Sequence, residues 1–224
     1  MPKQIPLDLE TKDRFSREQF VTNEGLRGVL DVLLRPEDWL APQLILFGPA
    51  GSGKTHLGHI FAEANSARFL PAAETHDLDV ADLPAVSWIV DDAEGASEEA
   101  LFHLFNRVQS SGQYLVLLTN TQPIQWPVSL PDWQSRLRAM RLLSLPEPDD
   151  ELLSAILSKL FAQRAISPSP DAVAYIAGRM DRSVNAAQKI VTELEHYANG
   201  RAFNRTLARD FFEHSDQLPL TEDE

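Results

Sequence analysis

The sequence predicts an α/β fold: a parallel five-stranded sheet with crossover helices, followed by a small all-helical domain. Three observations point to it. Short apolar runs recur at residues 44–47, 88–90, 114–119 and 142–145, with residues 68–71 as a weaker fifth. Runs this short and continuous suit strands buried on both faces of a parallel sheet. The stretches between them read as helices, and after Pro146-Glu147-Pro148 no further strand signal occurs.

Taken in order, residues 1–14 are polar and are expected to form an extended arm. A helix over residues 26–34 places Leu26, Val29, Leu30, Leu33 and Leu34 on one stripe, and Pro36 and Pro42 mark the loop after it. Residues 55–65 form a crossover helix. Residues 97–108 form another, with Ser97 as N-cap and Glu98 and Glu99 in its first turn. Beyond residue 148 four helices are expected, at 149–163, 169–180, 183–198 and 204–214. In the third of these Ala186, Ala187, Ile190, Val191 and Leu194 share a face. The expected organisation is an arm at 1–14, an α/β domain at 15–148, a helical domain at 149–216 and an acidic tail at 217–224.

Composition narrows the function. The 224 residues suit one large domain or one domain with a small appendage, at about 150 residues per domain. Cysteine is absent, which excludes disulfides, thiolate metal sites and a cysteine nucleophile. No apolar run approaches about 20 residues and the first residues lack a signal-peptide core, so a cytoplasmic protein without a membrane role is expected. Lys and Arg number 20 against 33 Asp and Glu, a net charge of −13. A chain this acidic is not built to grip phosphate backbones, so DNA contact would be indirect.

The strongest chemical signal is Gly48-Pro49-Ala50-Gly51-Ser52-Gly53-Lys54-Thr55, which matches G-x-x-x-x-G-K-[ST] between a strand and a helix. Glycines at 48, 51 and 53 let backbone N–H groups turn toward phosphate oxygens. Lys54 brings a cation to the β and γ phosphates, Thr55 offers a hydroxyl to Mg²⁺, and the helix N-terminus adds its dipole. The strand at 88–90 ends in Asp91 and Asp92. Alone, two such acids are a solvated turn. After a phosphate loop, Asp91 suits the metal and Asp92 the attacking water. Asn120 follows the strand at 114–119 and either orients water near the γ phosphate or caps its loop. Trp126 and Trp133 are core aromatics or part of a partner-facing surface. The histidines show no metal-ligand spacing, so no metal beyond nucleotide-bound Mg²⁺ is expected.

In this order, phosphate loop, acidic pair, polar strand tip, an arginine in Ser135-Arg136-Leu137 and a helical lid, the sequence resembles the AAA+ ATPases. Its details resemble the DnaA branch. Lys54-Thr55-His56-Leu57 is similar to the DnaA phosphate loop and its helix, and Asp91-Asp92 to the acid pair of that branch. Phe20-Val21 resembles the start of the adenine-side segment. The run from Leu130 to Leu137 is similar to the segment that bears the arginine finger, which would be Arg136. As a helix residue Arg136 has an ordinary alternative, a solvated surface charge beside Arg138 and Arg141. The arm contains Gln4-Ile5-Pro6-Leu7-Asp8-Leu9, which resembles the peptide that docks replication proteins on the sliding clamp. The Gln amide would bond a pocket rim while Leu7 and Leu9 fill an apolar groove.

An AAA+ core with such an arm resembles the Hda family of regulators, which inactivate DnaA. The resemblance implies ADP or ATP with Mg²⁺ at residues 20–21 and 48–56, clamp binding through Gln4, Leu7, Asp8 and Leu9, and Arg136 acting on ATP bound to DnaA. It also implies self-association through the AAA+ interface. Two departures stand out. Asn120 occupies a place where DnaA has Asp. Asn185 occupies the place of the lid arginine that senses the γ phosphate, with Arg182 one turn earlier. The second departure argues against strong hydrolysis by the chain itself and is compatible with bound ADP. The rival expectations are a self-sufficient AAA+ motor or loader, and a DnaA-binding adaptor without an arginine finger.

Overall fold

Five strands pair in parallel in the computed structural model, which describes residues 15–215. They are β1 (Gln43–Phe47), β2 (Arg68–Pro71), β3 (Trp88–Asp91), β4 (Leu115–Thr119) and β5 (Arg141–Ser144), in the order β2-β3-β4-β1-β5. The three central strands are buried along nearly their whole length, which is why their sequences are continuously apolar. The edge strands β2 and β5 are largely exposed, and their apolar signal is correspondingly weak. β5 begins one residue before its apolar run because backbone pairing of Arg141 with Leu44 sets its limit, not side-chain polarity.

Four longer helices belong to this unit, which ends at Pro146. Helix α1 (Glu24–Leu33) is capped by Asn23, whose side chain accepts from Leu26 N at 2.9 Å. Helix α2 (Lys54–Asn65) follows the phosphate loop, and α3 (Glu98–Ser111) is capped by Ser97. Helix α4 (Pro131–Ala139) follows Pro123 and Pro127, and Pro131 stands at its first turn, where a missing N–H costs nothing. One core joins these elements. Ile45, Trp88, Val90, Leu115 and Leu117 of the sheet pack with Leu101, Leu104, Phe105 and Val108 of α3 and with Trp133 and Leu137 of α4. Trp126 and Trp133 are both core residues, at 7% and 1% exposed.

The second unit, from Glu147 on, is helical throughout its described part. It contains α5 (Asp150–Gln163), α6 (Pro170–Ala177), α7 (Val184–Ala198) and α8 (Arg205–Ser215). Asp149 and Ser183 cap α5 and α7 through Leu152 N and Ala186 N. Ala187, Ile190, Val191 and Leu194 are buried as their spacing predicts, while Ala186 sits at the margin. Helix α6 ends at Ala177, short of the expected 180, with Gly178 as its C-cap. Among the described residues no helix is long and apolar enough to cross a membrane. Gln4, Leu7, Asp8 and Leu9 of the arm, and the acidic tail, lie outside the described residues.

Replacing Trp133 with Ala is expected to lower the unfolding free energy by about 3–5 kcal/mol, because it empties a filled core position. Urea denaturation followed by far-UV circular dichroism measures it. Ile124→Ala, at a side chain 68% exposed, is the control and leaves the midpoint in place.

Candidate nucleotide-binding site

Three chain segments meet at the carboxyl edge of the sheet. Residues 48–55 follow β1, Asp91 and Asp92 end β3, and Asn120 follows β4. β1 lies between β4 and β5, so the strand order reverses around it, and open α/β sheets bind ligands at such a point.

The loop takes its shape from two kinds of glycine. Gly51 and Gly53 have φ of 71° and 99°, a region that other residues rarely adopt. Gly48 is needed for a different reason than the turn expected from the sequence. A Cβ there would stand 2.9 Å from Leu145 Cβ and 3.0 Å from Leu145 O, so the residue after β1 could not pack against the one after β5. Pro49 accepts from Ser52 N at 3.2 Å, which closes the loop around Ala50. The Ser52 hydroxyl is buried and finds no partner in the protein. Helix α2 starts at Lys54, so its first N–H groups have no intrahelical acceptor. An orphaned hydroxyl at a helix N-terminus fits an anion at this place.

Lys54 is 5% exposed. Its ammonium donates at 2.8 Å to Gly48 O, Pro49 O and Asn120 Oδ1, which uses all three of its protons. Burial pulls its pKa below the ordinary lysine value, against the opposing charges of Asp91, Glu94 and Asp92. The Thr55 hydroxyl donates to Asp91 Oδ2 at 2.9 Å. Burial pushes the Asp91 carboxyl above its ordinary value, and the Thr55 hydroxyl opposes that shift. A hydroxyl and a carboxylate in contact are the oxygen donors that Mg²⁺ takes.

Asp92 is exposed and left-handed, with φ of 53°. It accepts from Asn120 Nδ2 at 3.0 Å. The Asn120 side chain therefore bridges Lys54 and Asp92, while the adjacent turn is closed by Thr119, whose hydroxyl donates to Thr121 O. The Asn120 backbone N–H donates to Glu94 Oε1 at 2.9 Å. Glu94 was not legible in the sequence, since its partner Asn120 lies 26 residues away.

On the loop's other side, Phe20 lies 3.4 Å from where a Gly53 side chain would begin, and its ring meets His56 edge-on at 4.9 Å. His56 Nε2 is 2.9 Å from Ser16 O. Phe15, His59 and Phe69 stack in sequence at 4.5 and 4.1 Å, which fixes the segment leading to Phe20 and the half-buried Val21 onto α2 and β2.

Arg136 is not in this cluster; its contacts run to α3 and α4. Its guanidinium lies 4.6 and 5.0 Å from the rings of Phe102 and Phe105, donates to Asn106 Oδ1, and pairs with Asp132 at 3.0 Å. It is still 28% exposed, so it is neither a free surface charge nor a buried one. Glu98 accepts from the backbone N–H groups of Ser129 and Leu130 and so fixes the start of α4. In the second unit Asn185 is exposed at the start of α7, and Arg182 is engaged by Pro148 O at 3.1 Å and Asp150 at 2.8 Å.

No family model matches the chain. A Haemophilus influenzae protein described as uncharacterized is 27% identical over 200 residues, 83% of this chain and 87% of that protein. The chromosomal replication initiator DnaA of Bacteroides thetaiotaomicron is 22% identical, over 93% of this chain and 50% of DnaA. For the DnaA of Symbiobacterium thermophilum the identity is 22%, over 70% of this chain and 40% of DnaA. The chain thus spans half or less of these DnaA relatives. Domain III of Thermotoga maritima DnaA superimposes with a TM-score of 0.73 at 18% identity, over 90% of this chain and 96% of that one. DnaA bound to AMPPCP and single-stranded DNA gives 0.71 at 17%, over 91% and 70%. Thermotoga maritima RuvB gives 0.69 at 18%, over 89% and 72%. The fold is the AAA+ P-loop fold of DnaA domain III and RuvB, and the sequence similarity to DnaA is weak.

Lys54→Ala is expected to weaken MgATP binding by about 10- to 100-fold, the loss of one charge-assisted hydrogen-bonding group. Isothermal titration calorimetry on the purified chain measures it.

Proposed function

We propose that this chain is a regulator of the Hda type. It docks on the DNA-loaded sliding clamp, the β subunit of the polymerase, and stimulates hydrolysis of ATP bound to DnaA in trans. Its own site holds adenine nucleotide, with ADP as the resting ligand. The observation that carries this reading is Arg136, an arginine positioned away from the chain's own phosphate loop yet partly open to an adjoining molecule.

Phe102, Phe105 and Asn106 orient the guanidinium. The Asp132 pair is a surface ion pair with Asp132 itself 69% exposed, and such pairs contribute little, about 0–1 kcal/mol. Arg136 can exchange that carboxylate for the γ phosphate of a neighbouring ATP without losing its ring contacts. There its charge would offset the negative charge that develops during phosphoryl transfer. A structural neighbour, DnaA, binds AMPPCP. In this chain Lys54 and the Ser52 hydroxyl would hold the phosphates and Phe20, Val21 and His56 the adenine side. Thr55 and Asp91 would hold Mg²⁺, which when bound screens the β and γ phosphate charges. The net charge of −13 agrees with indirect DNA contact through the clamp. The same interface could join copies of this chain, with Arg136 of one facing the site of the next.

The rival reading, a self-sufficient AAA+ motor or loader, draws on one observation: Thr55, Asp91, Asp92 and Asn120 are all in place around Lys54. Steady turnover by the isolated chain would favour it. Arg182, which stands nearest in sequence to the missing lid arginine, is already engaged by Pro148 and Asp150 within its own unit.

Two outcomes are expected. In single-turnover assays of DnaA preloaded with ATP, with clamp on DNA, the chain accelerates hydrolysis and Arg136→Ala loses about 10³-fold of that acceleration. Full activity of Arg136→Ala would instead identify an adaptor. Gln4→Ala with Leu7→Ala abolishes clamp binding by surface plasmon resonance, and unchanged binding refutes the docking role of the arm.

A further inference from the structure

The turn after β3 carries a carboxylate whose two oxygens are treated differently. Asp92 is left-handed and opens a tight turn closed by Gly95 N to Asp92 O at 2.9 Å and Ala96 N to Ala93 O at 3.2 Å. Ala93, 1% exposed, anchors that turn in the core. Glu94 is thereby brought back to the end of β4, where its Oε1 accepts the Asn120 backbone N–H. Its Oε2 is buried and has no hydrogen-bond donor. That oxygen carries negative charge with no hydrogen bond of its own to offset it.

That charge lies within the phosphate site. It faces Lys54 together with Asp91 and Asp92. Lys54 has already given its three protons to Gly48, Pro49 and Asn120, so a phosphate can take this cation only by displacing one of them. Asn120 Oδ1 is the acceptor on the far side of the loop, at the tip of β4, and Glu94 fixes that residue's backbone. A γ phosphate that replaces the Asn120 contact brings its charge toward Glu94, whereas a diphosphate lacks that group.

We propose that Glu94 is a specificity residue of the nucleotide site, whose carboxylate disfavours a nucleoside triphosphate relative to the diphosphate. The proposal rests on the nucleotide-binding reading above and adds to it the choice between the two ligands. It accounts for a resting diphosphate in a chain whose task would be to act on a partner's triphosphate.

The test is the affinity of the full chain for MgATP and for MgADP, by calorimetry, in wild type, Glu94→Gln and Glu94→Asp, with thermal melts to confirm folding. Glu94→Gln keeps an acceptor for Asn120 N–H and removes the charge. It is expected to raise the ATP-to-ADP affinity ratio by about tenfold, the order that one partly screened unit charge supplies. Glu94→Asp retains the charge and keeps the ratio near that of the wild type. Glu94→Ala is the second neutral variant should Glu94→Gln not fold, with the same direction expected. An unchanged ratio in the neutral variants overturns the proposal, and so does an equal rise in Glu94→Asp, which would indicate packing rather than charge. A wild-type chain that binds neither nucleotide overturns the nucleotide reading and this proposal with it; intact binding with an unchanged ratio overturns this proposal alone.

Discussion

A buried ammonium must find acceptors or lose its charge, and Lys54 finds three. Two are carbonyls of the loop after β1, and the third is the amide of Asn120 after β4. This single cation therefore requires the carboxyl ends of β1 and β4 to be neighbours. The sheet meets that requirement by pairing Phe47 with Thr119 in parallel register and by routing β2 and β3 to the far side. Asp91 then arrives beside Thr55 because β3 pairs with β4. Strand order and site chemistry are one arrangement seen at two scales.

The carboxylates of the site outnumber its cation. Asp91, Asp92 and Glu94 surround one lysine, and burial shifts Lys54 and Asp91 in opposite directions, each toward its neutral form. Such a site is held in readiness by its own bonds, since every proton of Lys54 is in use. A bound phosphate would have to exchange with these internal acceptors. On the proposed reading, that exchange is where the site would distinguish ligands by charge.

Arg136 shows the other way of handling a cation. Its charge is left partly open, and its position is set by a stripe of α3. Glu98, Phe102, Phe105 and Asn106 recur at helical spacing on that helix, and each touches Arg136 or the start of α4. Core packing of Trp133 and Leu137 secures the same helix from beneath. A rigid mount with a partly open head is the feature on which the proposed action on a second molecule rests.

The central strands, the phosphate loop and the Ser97 cap were legible in the sequence because each is a local pattern, while the caps Asn23, Asp149 and Ser183 came from the structure. Burial on both faces writes a continuous apolar run, and each of these four caps accepts from a backbone N–H three residues on. What the sequence could not disclose depends on partners distant along the chain. Asn120 meets Lys54 across 66 residues and Glu94 across 26, and Arg136 meets Asn106 across 30. Helix α4 was obscured by its flanking prolines, and the two tryptophans took their core role only from the sheet beneath them. Gly48 read as a turn residue, but packing against Leu145 is what excludes a side chain there. By itself the sequence determined most of the elements, since hydrophobic period acts within a few residues. The tertiary structure alone decided which charges face one another, because that depends on strand order and register, which no local pattern encodes.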